Sequence, residues 1–504
     1  MSFSRRSSIS AVALLWGGLA AAEAPLSAID WLDDAATVSV TPPLPPVTKG
    51  ADLPEVVVTP LDAPRADAAG LLPSQVTGLP ASLWKNSTTA TLSRALGQLG
   101  ERPLPALQAL YYTLLLAEAD APPDAGPDAA FLVARLAALR RFGAVEPAMA
   151  LVERAGGATP ALFDTWFELA LLEGREEPAC TALADAPYLS RDIGARIYCL
   201  ARAGQWDSAA LILHGAEATG ALAEPDITLL ALFLEPELID EIAPPPSGTM
   251  TPLRFRLFEA IGAPLGTRDL PRAYAMADLR GTAGWKAEIE AAERLAATGA
   301  VAGTRLLGLY TARRPAASGG VWERVAAAQA LDAALAADDA EALGRALPRA
   351  WEAARGVGLE TVLADLFAER LLAAPLPAAT RPLAAEIVLL SALYERAGDI
   401  LPPSTARQRL LAGIAAGSPR EADAQTPLET AIAEGFSGTA PAPEHRSLID
   451  GGRLGEAILA AAAQLDGAAA PPAARAALST LRAVGLEETA RRAALQMLLL
   501  GPSR

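Results

Sequence analysis

The sequence predicts an all-α protein, an α-solenoid or superhelix of stacked helical hairpins, on three observations. A module of helix, glycine stop and second helix recurs: Leu139-Arg-Arg-Phe-Gly-Ala-Val-Glu-Pro-Ala, Leu171-Leu-Glu-Gly-Arg-Glu-Glu-Pro-Ala and Leu200-Ala-Arg-Ala-Gly-Gln-Trp-Asp-Ser-Ala. Its glycines, Gly143, Gly174 and Gly204, follow one another at steps of 31 and 30 residues. That period belongs to helical hairpins that bury their apolar faces only by leaning on neighbours. The apolar content, 52% of the chain, is mostly Ala and Leu with few aromatic or β-branched runs, which favours helix over strand. Glycines and prolines mark the segment boundaries, and the loops between them are mostly short.

The chain opens with the three parts of a secretory signal over residues 1–22. Arg5 and Arg6 supply the positive start, Ile9 to Ala21 is apolar but too short to span a bilayer comfortably, and Ala20-Ala21-Ala22 offers a small-x-small cleavage site. Cleavage is expected after Ala22, because a cut after Ala24 would leave Pro25 at the mature N-terminus. Export to the periplasm follows, with no stable membrane insertion of the mature chain. The scarcity of lysine (Lys49, Lys85 and Lys286 alone) reads as the codon bias of a GC-rich bacterial genome.

Residues 23–81 read as a disordered, Pro-rich tether. Thr41-Pro-Pro-Leu-Pro-Pro and the prolines at 54, 60, 64, 73 and 80 leave no room for a helical period. Trp31, between Ile29 and Leu32, has the form of a short docking peptide; a local contact or plain disorder is the plainer reading.

From Ser82 the helical pattern begins, and residues 82–242 form a first helical-repeat part. Helices are expected at 88–99, 104–119, 128–142, 146–155, 160–173, 177–186, 190–203 and 206–218. In 160–173, Leu162, Phe163, Trp166, Phe167, Ala170 and Leu171 make one broad apolar face at helical spacing. The segment Ile197-Tyr-Cys-Leu-Ala-Arg-Ala-Gly-Gln-Trp-Asp-Ser-Ala-Ala resembles the inter-helix turn of a tetratricopeptide repeat, with Tyr198, Gly204 and Ala209 at consensus-like positions. Ala392-Leu-Tyr-Glu-Arg-Ala-Gly398 and Gly452-Arg-Leu-Gly-Glu-Ala457 are similar. The resemblance covers about a third of the chain and implies a helical-repeat architecture used for binding; most units lack the Trp-Leu-Gly-Tyr half of the consensus.

Glu241-Ile-Ala-Pro-Pro-Pro-Ser-Gly-Thr-Met-Thr-Pro252 is the strongest internal break and marks a boundary. A second helical part spans 253–416, with helices at 253–261, 283–298, 302–312, 320–337, 339–355, 358–373 and 379–397. Residues 417–443 read as a loosely structured connection. C-terminal hairpins fill 444–504, with helices at 454–465, 472–485 and 487–499.

Charge and chemistry narrow the role. The formal net charge of −16 repels phosphate backbones, so nucleic acid is not an expected partner. His214 and His445 are far apart and lack metal-site spacing; each reads as a surface or loop residue. No nucleophile elbow or phosphate-binding loop is found, so no cofactor and no enzymatic activity are expected. The only cysteines, Cys180 and Cys199, fall on consecutive helices; they form a disulfide in an oxidising compartment or stay as two small buried hydrophobes. Tyr310, Arg313, Arg314 and Trp322 gather basic and aromatic groups about a glycine turn, a candidate partner-binding surface for a glycan or peptide carboxylate. The competing reading makes Tyr310 and Trp322 hairpin core and the arginines helix caps.

Soluble lytic transglycosylases pair an export signal with a long helical superhelix, but their catalytic Glu precedes Ser, and this chain holds no Glu-Ser dipeptide. The expected function is a non-enzymatic scaffold for an envelope protein or peptide. The alternative is a catalytically empty, transglycosylase-like superhelix that binds peptidoglycan.

Overall fold

The computed structural model describes residues 65–315, 317–438, 440–467 and 469–500. The signal segment with Ala22, the docking peptide with Trp31, and the tether through residue 64 lie outside the described residues. Twenty-five α-helices and seven short 3-10 turns make up the described chain, and the one β-type pairing among them is an isolated bridge between Leu72 and Ala117. The fold is all-α, as the Ala/Leu bias and the glycine period predict.

The three repeat glycines do the work their spacing implied. Gly143 and Gly174 cap helices Ala130–Phe142 and Phe163–Glu173, and Gly204 follows helix Ile193–Arg202. All three have positive φ, at 83°, 72° and 77°, which L side chains adopt only under strain. At Gly143 there is also no room: a Cβ would sit 2.6 Å from a Leu295 methyl. Gly398 behaves differently and lies inside the short helix Ala397–Ile400.

Successive helices pack on their neighbours, as a solenoid requires, from Ala130–Phe142 through Pro252–Ala260, from Trp285–Ala296 through Ala397–Ile400, and from Pro443–Asp450 through Glu487–Leu499. The chain then returns to its beginning. Helix Glu487–Leu499 packs on Pro105–Leu116, and Leu454–Ala463 packs on the turn Ala81–Trp84 and on Thr89–Gly97. Polar contacts tie the same ends: Tyr111 donates to Asp466 at 3.2 Å, and Asn86 to the carbonyl of Gly451 at 3.2 Å. The stack is therefore a closed circuit of contacts, and its largest core cluster runs from Leu79 to Leu495.

Several sequence expectations need correction. Residues 65–81 are not tether: turn Ala66–Ala68 and helix Ser74–Thr77 are built into the fold. Asp67 is buried and accepts from the Leu132 N–H, a partner 65 residues away that local proline spacing cannot reveal. The connection 417–443 contains helix Pro427–Ser437, started by a reciprocal capping box between Thr426 and Glu429. That helix makes the most extensive helix–helix contact among the described residues, against Pro471–Ala483. Helices Glu224–Leu234 and Pro443–Asp450 were likewise unforeseen, because a proline in the first turn starts a helix as readily as it ends one. Helix Ala406–Ala415, also unforeseen, opens on a second capping box, between Thr405 and Gln408.

The expected helix 379–397 stops at Leu389. The Ser391 hydroxyl donates to the Val388 carbonyl and accepts the Leu393 N–H, replacing the helical pattern with a side-chain turn. The Pro-rich stretch 241–252 does not part the chain either: Tyr274 donates to the Met250 carbonyl at 2.9 Å, and Asp62–Arg504 forms one unit.

Candidate functional site

Helices Phe163–Glu173, Glu177–Asp185, Ile193–Arg202, Trp206–Thr219 and Glu224–Leu234 share a core of their own, closed by Pro252–Ala260 returning onto Phe163–Glu173. Two covalent and polar ties hold this lobe. Cys180 and Cys199 are bonded across consecutive helices, with Cα atoms 5.0 Å apart. Glu176, buried at the head of helix Glu177–Asp185, accepts from the Tyr198 hydroxyl at 2.7 Å and from Arg256 at 3.1 Å. Burial pushes the Glu176 carboxyl up, but Tyr198 and Arg256 together overcome it and hold the group below its ordinary range. Tyr198, inside helix Ile193–Arg202, thus packs in this core and ties its helix to Glu176.

An aromatic ladder crosses the lobe from core to surface. Phe163 stacks near Phe167 (6.1 Å between centroids), Phe167 meets Tyr198 edge-on (6.2 Å), Tyr198 lies on Phe233 (5.5 Å), and Phe233 meets Trp206 (6.1 Å). Phe163 is fully buried, whereas Trp206 is half exposed. Trp206 therefore reaches solvent on a rigid support. Of the six large hydrophobic side chains most exposed among the described residues, Tyr188, Trp206 and Leu211 lie on elements of this lobe, and Ile239 and Ile242 lie on the segment between Glu224–Leu234 and Pro252–Ala260. Leu211 is 73% exposed and Tyr188 75%. Helix Trp206–Thr219 packs mainly on Ile193–Arg202 and Glu224–Leu234, so its outer side has no helix over it.

The residues singled out from sequence are placed otherwise. Tyr310 is core, donating to Glu293 at 2.7 Å, while Arg324 pairs with the same carboxylate through both of its oxygens at 2.7 and 2.6 Å. Trp322 packs against Trp285, 5.0 Å between centroids, and Trp285 donates to the Leu309 carbonyl. Arg313 and Arg314 are exposed beyond the end of helix Gly303–Thr311. The fold thus separates the four: Tyr310 is buried, Trp322 is half-buried against the core, and the two arginines are outside. His214 is exposed as expected. His445 is not a surface residue: it is buried, with Nδ1 2.8 Å from the Thr480 hydroxyl.

Sequence reasoning missed Tyr188 and Leu211 and read Trp206 only as a turn position. Nothing local distinguishes an apolar residue covered by a following hairpin from one left open; that depends on whether another hairpin stacks there. No helix among the described residues is long and apolar enough to cross a membrane, and no group of three metal-binding side chains is found among them. No known protein family, curated protein or solved structure matches this chain.

Proposed function

We propose that this protein is an exported, non-enzymatic helical-repeat scaffold of the bacterial cell envelope, and that it docks a protein or peptide partner on the outer surface of the disulfide-bonded lobe. The observation that carries this reading is that five of the six most exposed large hydrophobic side chains among the described residues, Tyr188, Trp206, Leu211, Ile239 and Ile242, fall between residues 188 and 242 of an otherwise acidic chain. Exposed large apolar side chains are what interaction surfaces present, and rigidly supported Trp and Tyr are the residues that anchor interfaces. A disulfide within the lobe suits an oxidising compartment and agrees with the signal-like N-terminus.

The test uses full-length protein immobilised and exposed to envelope extract, with Trp206→Glu and Leu211→Glu compared with wild type. The reading expects discrete proteins retained by wild type and lost from both variants, while circular dichroism and melting temperature stay unchanged. Equal retention by all three proteins would overturn it. So would concentration-dependent self-association that the two substitutions abolish, because the lobe would then be a subunit contact.

A further inference from the structure

Away from the lobe, five separate segments converge on a cavity of about 750 Å³. It is lined by residues from 101–103, by Arg141, and by residues from 268–272, 293–298 and 355–360. Six of the lining residues are arginines: Arg102, Arg141, Arg268, Arg272, Arg294 and Arg355. Three are acidic: Glu101, Glu293 and Glu360. The formal balance of the lining is plus three, in a chain whose net charge is −16.

The arginines outnumber the acids two to one, and Glu101 pulls only partly on Arg141 and Arg272 against the burial that lowers both. Both oxygens of Glu293 are taken by Arg324, and one also by Tyr310. Arg102, Arg141, Arg268, Arg272 and Arg294 form no ion pair among the described residues, and Arg355 reaches only Glu352, at 4.0 Å. Main-chain carbonyls position three of them instead. Arg294 donates to Thr267 and Leu270 at 2.7 and 2.8 Å, Arg141 to Leu96 and Gly97 at 2.8 and 3.1 Å, and Arg272 to Glu101 at 3.2 Å. The Nε of Arg141 is buried with no partner.

Carbonyl dipoles orient a guanidinium without cancelling its charge, so the charges stay available and in fixed places. They also oppose one another. Burial lowers the basicity of Arg272 first, and Arg102 and Arg294 lower it further; Arg294 is lowered by burial first and by Arg102 as well, against the opposing pull of Asp278 and Asp269. An arrangement of this kind stabilises an anion that arrives in it, because each repulsion becomes an attraction shared by the same guest.

We propose that this cavity binds a small polyanion through carboxylate or phosphate oxygens. Guanidinium forks match both kinds of oxyanion in bidentate fashion. The volume is that of a small-molecule site, typically about 300–1,000 Å³. Charges arriving from five segments call for a guest with two or more anionic groups.

Calorimetric titration of the full-length protein at fixed ionic strength tests this, with citrate in one arm, pyrophosphate in the second and monovalent acetate in the third. The expected result is saturable binding of citrate or pyrophosphate, with acetate silent; the tighter arm identifies the guest as carboxylate or phosphate. Arg102 and Arg268 make no hydrogen bond among the described residues, so the double variant Arg102→Gln/Arg268→Gln keeps the fold. It should weaken binding by about tenfold or more, the scale of a lost charge-assisted contact. Saturating polyanion should also raise the melting temperature of the wild type more than that of the double variant. No saturable heat in either polyanion arm, or equal affinity in wild type and double variant, would overturn the proposal.

Discussion

The backbone N–H of Ala106 donates to Oε1 of Gln496 at 2.8 Å, across 390 residues of chain. Ala106 lies in the first turn of Pro105–Leu116, where helical N–H groups have no partner within their own helix. Gln496, on the last described helix, supplies the missing acceptor and closes the contact circuit. Gln496→Leu keeps the volume and removes the acceptor, leaving a buried donor unmet. The expected loss of stability is about 1–3 kcal/mol, read from the denaturation midpoint at unchanged slope. A change within error would mean the ends meet by apolar packing alone.

Arg135 shows how the segment that opens the described chain is held. Its side chain is fully buried and donates to four carbonyls: Leu115 at 2.8 Å, Asp67 at 3.3 Å, Ala69 at 2.7 Å and Ala117 at 3.1 Å. Burial draws its pKa down to about 10, with Asp67 pulling the other way, so it stays charged at neutral pH. Arg135→Met is expected to cost about 3–5 kcal/mol, as removal of one buried charged partner does. Limited proteolysis should show residues 65–81 cut first in this variant and protected in wild type.

Reduction of Cys180–Cys199 releases a loop closed over 19 residues. The chain-entropy model gives a loss of about 3 kcal/mol for a loop of this size. Thermal melts with and without reductant check it, and Cys180→Ala/Cys199→Ala should match the reduced wild type.

His445 gives the protein a pH dependence of known sign. Nδ1 lies 2.8 Å from the Thr480 hydroxyl, whose oxygen accepts the Ala442 N–H. Burial lowers the pKa of His445 below its ordinary value of 6.5, against a smaller opposing pull from Glu444. A base with a lowered folded pKa binds protons more readily when unfolded. Its contribution is therefore complete above the unfolded pKa and is lost as pH falls from there through the folded pKa. His445→Asn retains an acceptor and does not titrate. The stability difference between wild type and variant should shrink or reverse from pH 7.5 to 5, and a difference independent of pH would contradict the assignment.

The helices most legible in the sequence were those whose signals are local. Gly143, Gly174 and Gly204 mark stops because only glycine sits comfortably at positive φ, and the apolar face from Leu162 to Leu171 is buried as its spacing implies. Prolines misled in proportion to their ambiguity: Pro225, Pro427 and Pro443 begin helices but read as breakers. What depends on long-range pairing was invisible. Asp67 waits on Arg135 and Leu132, Ala106 on Gln496, and the arginine cavity on five segments that share no motif. Tyr310 and Trp322 show the converse, since aromatic residues beside arginines in sequence can be interior once the hairpin closes.

The docking claim is tested most directly by a photo-crosslinking residue placed in living cells at position 211 and, in parallel, at position 76. Leu211 and Val76 are similarly exposed, at 73% and 69%, but only Leu211 belongs to the lobe. The account predicts discrete crosslinked species from position 211, lost when Trp206→Glu is added, and none from position 76. Crosslinks of equal yield and pattern from both positions, or from neither, would contradict it.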